Sequence, residues 1–246
     1  MTETKRVGLA RVLSKLGYCS RSQAATLIQA GRVAVNGRNV SDPETPTRMD
    51  RDRIAVDGSP VKEQKKIYLV MNKPRGVVTT ASDEQGRQTV YDLLPAEHPW
   101  VGPVGRLDKA SEGLLLLTND SGWAARVADP LSHLVKTYHV QINRLADSEL
   151  LGSLTAGVHD QGEQLRAKMA RMLRQGQKNA WLEIVLNEGK NRHIRRLLAA
   201  LGVEVLRLVR VSIGPLQLGE LKKSAVRELT AGEKKALDRA LNAARQ

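Results

Sequence analysis

Apolar residues near the start of the chain recur at helical spacing. Leu9, Val12, Leu13 and Leu16 make one stripe, and Gly17 ends it. Ala25, Leu27 and Ile28 mark a second helix, which Ser22 could cap and Gly31 closes. The period then shortens to that of a strand. Val33-Ala34-Val35 runs into Asn36-Gly37 and a further extended stretch through Val40, the strongest short signal for a hairpin. Arg53-Ile54-Ala55-Val56 followed by Asp57-Gly58 repeats the device. Two helices and small β elements thus fill the opening of the chain. The polar, charged Glu63-Gln64-Lys65-Lys66 reads as a linker, so residues 1–62 are expected to form one domain and 63–246 a second, larger one.

From Ile67 the strand-like runs lengthen. Ile67 to Met71 and Val77 to Thr80 flank the turn Asn72-Lys73-Pro74-Arg75-Gly76. Tyr138 to Ile142, Trp181 to Leu186 and Val203 to Val211 are further strands, rich in branched residues. Helices are expected at Gly122 to Ala128, Asp147 to Thr155, Asn191 to Leu201 and Thr230 to Ala244, the last opening with the capping-box pair Thr230 and Glu233. No regular strand–helix–strand rhythm runs through these elements, and hairpin-like pairs are frequent. The fold class that follows is α+β, with a mainly antiparallel mixed sheet flanked by helices.

Charge alters the picture more than composition does. The 246 residues carry 39 Lys and Arg against 26 acids, a formal net charge of +13. An excess of that size favours polyanions, because each neutralised phosphate releases condensed counterions. The segment 1–65 alone holds 12 basic and 7 acidic residues. Cys19 is the single cysteine, which rules out an intramolecular disulfide and a cysteine metal cluster and suits a reducing cytoplasm. Met1 to Gly8 is polar, unlike a signal peptide, and the aliphatic run Leu114 to Leu117 is far short of the roughly 20 residues that span a bilayer. With three Trp, four Tyr and no Phe, the core is expected to be aliphatic.

Several chemistries have no footing. The chain has no phosphate-binding P-loop, no dinucleotide fingerprint, no nucleophile elbow, and no pair of its five histidines at zinc spacing. No cofactor and no metal are expected. What remains is chemistry performed by side chains. The densest candidate is Gly105 to Asp120, in which Asp108 stands among Arg106, Lys109 and the aliphatic run Leu114 to Leu117. Cationic neighbours suit a carboxylate acting as nucleophile or base. Most Asp residues near turns are merely solvated or cap helices, so composition alone does not single out Asp108.

The length of the segment does. Gly105-Arg106-Leu107-Asp108-Lys109, followed by Ser111 through Asp120, resembles the signature of RsuA-type pseudouridine synthases, which modify ribosomal RNA. Lys73-Pro74-Arg75-Gly76, Lys136-Thr137-Tyr138-His139-Val140 and Asn187 to Leu198 match three further motifs in the family's order, and Leu206 to Gly219 is similar to its C-terminal segment. His193, Lys190 and Leu197 depart from the usual Gln, Arg and Met; His193 is expected to alter local RNA contacts. The first 62 residues resemble the S-four RNA-binding domain, whose helices meet RNA backbone; Arg11, Lys15, Arg21 and Arg32 are the corresponding candidates.

The resemblance implies isomerisation of a uridine in ribosomal RNA, with large-subunit RNA weakly preferred: the bond from uracil nitrogen to ribose opens, the base turns, and it rejoins through carbon five. Asp108 takes the place of the essential carboxylate, as nucleophile or as base. Tyr138 takes that of the tyrosine stacked on the flipped base, and Arg195 that of the cation paired with the acid. Helical geometry agrees for Arg195, which falls about 100° from Ile194 and so at the border of the stripe Ile194, Leu197, Leu198 and Leu201. Ile194 would line the base pocket, Arg106 would position substrate, and Lys136 would meet a phosphate. Arg192 and Arg196, opposite the stripe, are expected to be solvated or to face RNA. The implied partner is ribosomal RNA or an assembling subunit, met by a cytoplasmic monomer with no membrane and no obligatory protein partner. Two alternatives stand beside this reading: a non-catalytic ribosome-associated RNA-binding factor, and a pseudouridine synthase acting on tRNA.

Overall fold

The computed structural model describes residues 6–81, 83–95 and 98–243. The chain forms two compact units that do not follow its linear order. One gathers residues 1–68 with 95–102 and 117–125, and the other takes 69–94, 103–116 and 126–246.

In the first unit, helices α1 (Leu9–Lys15) and α2 (Arg21–Gln29) pack on a small sheet of β1 (Val33–Val35), β2 (Arg38–Val40), β3 (Ile54–Val56) and β4 (Ser59–Pro60). Leu9, Val12, Leu13, Ala24, Ile28 and Val33 are fully buried between them. The two tight turns take the expected conformations, with Asn36 and Gly37 at φ 52° and 81° and Asp57 and Gly58 at 49° and 77°. The cap of α2 differs from expectation. Ser20, not Ser22, has the extended backbone a cap requires; its hydroxyl accepts from Gln23 N, and the Gln23 side chain accepts from Ser20 N.

Part of the 105–120 signature is scaffolding in this unit. Thr118 donates its hydroxyl to Ile67 O at 2.6 Å, and the Asn119 side chain accepts from Ile67 N and donates to Lys65 O. Asp120 accepts from Trp123 N, which opens helix α3 (Ser121–Ala128), and from the Tyr68 hydroxyl. Trp123 is buried edge-on against Tyr68, ring centroids 5.0 Å apart.

The main sheet contains β5 (Tyr68–Lys73), β6 (Glu112–Thr118), β7 (Lys136–Ile142), β10 (Met169–Gln175), β11 (Ala180–Leu186), β12 (Val205–Ile213) and β13 (Val226–Glu228). Their spatial order is β10-β11-β7-β12-β6-β5-β13. The sheet is mixed as expected: β10, β11, β7 and β12 pair antiparallel, while β12 and β6 run parallel. Every residue of β6 is buried, which is why Leu114 to Leu117 reads as an unbroken aliphatic run. A separate hairpin joins β8 (Val158–Asp160) and β9 (Glu163–Leu165).

Helices α4 (Ser148–Ala156) and α5 (His193–Ala200) cover one face of the sheet. Leu150 and Leu154 from α4 and Ile194, Leu197 and Leu198 from α5 meet Val140, Ile142, Leu182, Ile184 and Leu208 in an aliphatic core. Helix α6 (Ala231–Ala243) begins with the expected Thr230–Glu233 box; the expected final residue, Ala244, lies outside the described residues. Val77 to Thr80 is not a strand. Only a single bridge links Val78 to Thr89, because the segment's polar groups are taken by loops: Val78 N donates to Gln88 O, and the Thr79 hydroxyl bonds Leu107.

Candidate active site

Asp108 sits on a loop whose backbone is held at nearly every carbonyl. The Thr79 hydroxyl donates to Leu107 O at 2.7 Å and accepts from Leu107 N. Lys73 Nζ donates to Asp108 O at 3.2 Å, to Ser111 O at 2.9 Å and to Pro74 O. Gly76 N donates to Lys109 O, Ser111 N to Asp108 O, and Arg195 Nη2 to Ala110 O at 2.9 Å. Gly113 follows at φ 104°, where a Cβ would strike the backbone of Arg210 in the neighbouring strand, so β6 can approach β12 only with glycine there. The result is a clamped loop whose Asp108 carboxylate, among the described residues, makes only an ion pair with Arg192 Nη1 at 3.8 Å.

The carboxylate looks into a cleft of about 410 Å³, within the size range of small-ligand pockets. Tyr138 and Lys136 enter from β7 and Leu208 and Arg210 from β12, since alternate residues of each strand point to this face. Ile194 and Arg195 enter from α5, and Arg106 from the loop, with Leu107 between Arg106 and Asp108 turned into the interior. Six lysine and arginine side chains line the cleft among the described residues, against Asp108 as the one carboxylate. Such walls suit an anionic substrate.

Burial shapes the cations. Lys73 is wholly enclosed, which pushes its ammonium down to about 8 although Asp108 and Glu112 oppose the change. Lys136 is likewise lowered to about 8, first by burial and then by Arg210. Arg195 is lowered by burial and by Arg192, with Asp108 acting the other way.

The expected residues do not all converge. Asp108, Arg106, Tyr138, Lys136, Ile194, Arg195 and Arg192 share the cleft. Arg195, expected to pair directly with Asp108, instead binds Ala110 O and Val205 O, so it holds the loop that carries the acid. Arg192 makes the ion pair. Arg196 is neither solvated nor in the cleft: Nε meets Asp160 and Nη1 meets Glu163, both at 2.6 Å, tying α5 to the β8–β9 hairpin. His193 is 3% exposed, with Nδ1 3.8 Å from Glu188, so it is an interior residue of the cleft wall rather than a surface contact. In the first unit Arg11, Lys15 and Arg21 are exposed, whereas Arg32 is engaged by both oxygens of Asp57.

Two buried cations beside the cleft carried no assigned role in the sequence. Lys73 lay inside a recognised motif, but nothing in the pattern marks an ammonium buried beneath a loop. Arg210 is 6% exposed; its Nε donates to Leu114 O at 2.7 Å while Nη2 finds no partner among the described residues. Its signal was available, because Leu208, Arg210 and Ser212 occupy the buried alternation of β12 and an arginine there demands a reason.

Fold and cleft together bring a carboxylate on a clamped loop and a strand tyrosine to one cationic cleft, the arrangement of a site for an anionic substrate. Residues 67–200 match the RNA pseudouridylate synthase family model, and residues 7–50 match the S4 domain. The chain belongs to the RNA pseudouridine synthase family. It is 38% identical to an uncharacterized RNA pseudouridine synthase of Aquifex aeolicus over 228 residues, covering 92% of each chain. It is 36% identical to the ribosomal large subunit pseudouridine synthase B of Bacillus subtilis, covering 93% of this chain and 94% of that one. A crystal structure of a pseudouridylate synthase superposes with a TM-score of 0.66 at 29% identity, covering 94% of this chain and 99% of the other.

Proposed function

We propose that this enzyme isomerises a specific uridine of ribosomal RNA, in the large subunit, with Asp108 as the essential carboxylate. The observation that carries the proposal is the clamped loop. Backbone and buried donors fix Asp108 on five successive carbonyls and leave its side chain free to act. The likeness to the Bacillus subtilis large-subunit enzyme over almost the whole length of both chains supports the choice of RNA.

In this reading the target uridine leaves its stack, because a base within a helix is out of reach. Its ring lies on Tyr138, a contact worth about 1–3 kcal/mol for a base on an aromatic side chain. Ile194 closes the apolar side of the pocket. Lys136, Arg192 and Arg106 meet the phosphates on either side, and Asp108 acts on the sugar or base while the glycosidic bond opens and re-forms at carbon five. The reaction is redox-neutral: the ring nitrogen gains a proton where the bond to ribose breaks, carbon five loses one where the new bond forms, and neither an electron carrier nor a group donor is needed. Arg11, Lys15 and Arg21 of the first unit add sequence-independent affinity, and the RNA substrate places the enzyme in the cytoplasm.

Mapping pseudouridine across ribosomal RNA from a strain lacking the gene tests the substrate. One large-subunit uridine should lose its modification and regain it on complementation. An intact ribosomal map together with a lost tRNA pseudouridine would show that the RNA was wrongly assigned.

A further inference from the structure

The cleft occupies one face of the main sheet, and a second concentration of charge lies along the sheet's edge, with two of its arginines on the other face. Residues 166–178 hold five basic residues (Arg166, Lys168, Arg171, Arg174 and Lys178) and no acid. Most of this segment is the edge strand β10, whose residues are nearly all exposed. In register, Arg171 lies across from Glu183, Glu183 from His139, and Trp181 from Gln141 and then Arg207. Leu182 and Ile184 are buried in the aliphatic core, so these alternate residues point away from it.

A β-bulge sets the geometry. After Arg171 opposite Glu183 and Met172 opposite Leu182, strict alternation would place Leu173 across from Trp181 and turn Arg174 toward the core side. The register shift between Met172 and Arg174 instead places Arg174 opposite Trp181. Its guanidinium lies 5.1 Å from the ring centroid, and that of Arg207 lies 5.7 Å from it. Arg174 makes no ion pair among the described residues.

The acids of this face lie beneath its bases. Glu183 is 14% exposed under Arg171 at 62%, and Glu112 is 4% exposed under Arg207 and Lys223 at 39% and 60%. The potential presented outward is therefore positive, around an aromatic ring.

We propose that this face, centred on Arg171, Arg174 and Trp181, is a second RNA-binding surface of the catalytic unit. An unpaired base of the substrate RNA extends the Arg174–Trp181 stack, and the phosphates flanking it pair with Arg171 and Arg174. The RNA rounds the β10 edge from the face that holds Asp108 to the face that holds Trp181. Charge complementarity and the exposed stack favour RNA as occupant over an apolar protein segment. The proposal takes its RNA from the function proposed above.

The test uses the full chain and a large-subunit ribosomal RNA transcript, titrated at several salt concentrations. Arg171→Gln with Arg174→Gln should weaken binding several-fold and lower the slope of log K against log salt by about 1.4–1.8, the loss of two phosphate contacts. Trp181→Leu should weaken binding about five-fold or more with the slope unchanged, because stacking releases no counterions. Lys235→Gln with Arg239→Gln removes the same charge from the exposed side of α6 and should leave the slope at the wild-type value. An unchanged slope in the Arg171/Arg174 variant, or an equal fall in the α6 variant, overturns the proposal. If the wild type modifies the transcript in that case, the proposed function stands without this surface; if it neither binds nor modifies it, both fail.

Discussion

At the scale of single residues, Lys73 and Lys136 have the same origin and opposite tasks. Both are lowered to about 8 by burial, but Lys73 spends its protons on three carbonyls while Lys136 looks into the cleft. Lys73→Met keeps the volume and removes the ammonium from all three carbonyls, of which Asp108 O keeps the Ser111 N–H as a donor. It should lower stability by about 2–3 kcal/mol in urea unfolding and reduce kcat more than it raises KM, because the loop under Asp108 loosens. Lys136 gives a pH dependence whose sign follows from its lowered value. The free enzyme loses this charge as pH rises through about 8, so phosphate must then bind together with a proton and affinity falls. Between pH 7 and 8.5 the wild type should bind RNA progressively less tightly than Lys136→Arg, which keeps its charge throughout. Parallel pH curves for the two proteins would refute that role for Lys136. Neither lysine's burial was legible in the sequence, since it depends on loops and strands distant in the chain. Asp108 and Tyr138 were legible because they lie inside contiguous motifs.

At the scale of elements, the strongly periodic helices were readable and the edge strands were not. The stripe Ile194, Leu197 and Leu198 is buried as its spacing demands, and only Leu201 at the helix end is partly open. Strand β10 has no signature in the sequence because an edge strand needs no apolar alternation, and Met169-Ala170-Arg171-Met172-Leu173-Arg174 shows none. Arg196 on α5 shows the limit of helical-wheel reasoning: the position opposite the stripe was right, but the β8–β9 hairpin packs there and supplies two acids. Arg196→Gln should therefore lower the melting temperature while leaving the salt dependence of RNA binding unchanged. A flatter salt slope with an unaltered melting temperature would return Arg196 to the RNA. The α2 cap offers a simpler check. Ser20→Ala should cost about 1 kcal/mol, whereas Ser22→Ala should cost much less, because only Ser20 accepts from Gln23 N.

At the scale of the whole molecule, the net charge of +13 is divided between surfaces with different work to do. The first unit presents Arg11, Lys15 and Arg21 on exposed helical positions, and changing all three to Gln should lower the salt slope by about 2.1–2.7 if each meets one phosphate. That substitution is a cleaner test than removing residues 1–62, because Gln64 N bonds Leu16 O, Lys66 bonds Lys15 O, and the same unit draws in residues 95–102 and 117–125. The order of helices and hairpins in the chain was legible; this return of later segments to the first unit was not, because it rests on Asn119 and Trp123 meeting residues 65–68 across more than fifty positions. The central claim is that a loop held by its backbone presents one reactive carboxylate. Asp108→Asn preserves size and leaves every one of those backbone contacts in place, so the variant should fold and bind RNA as the wild type does. Pseudouridine formation on a ribosomal RNA transcript, followed with the purified variant, should be undetectable; turnover near the wild-type rate would contradict the account.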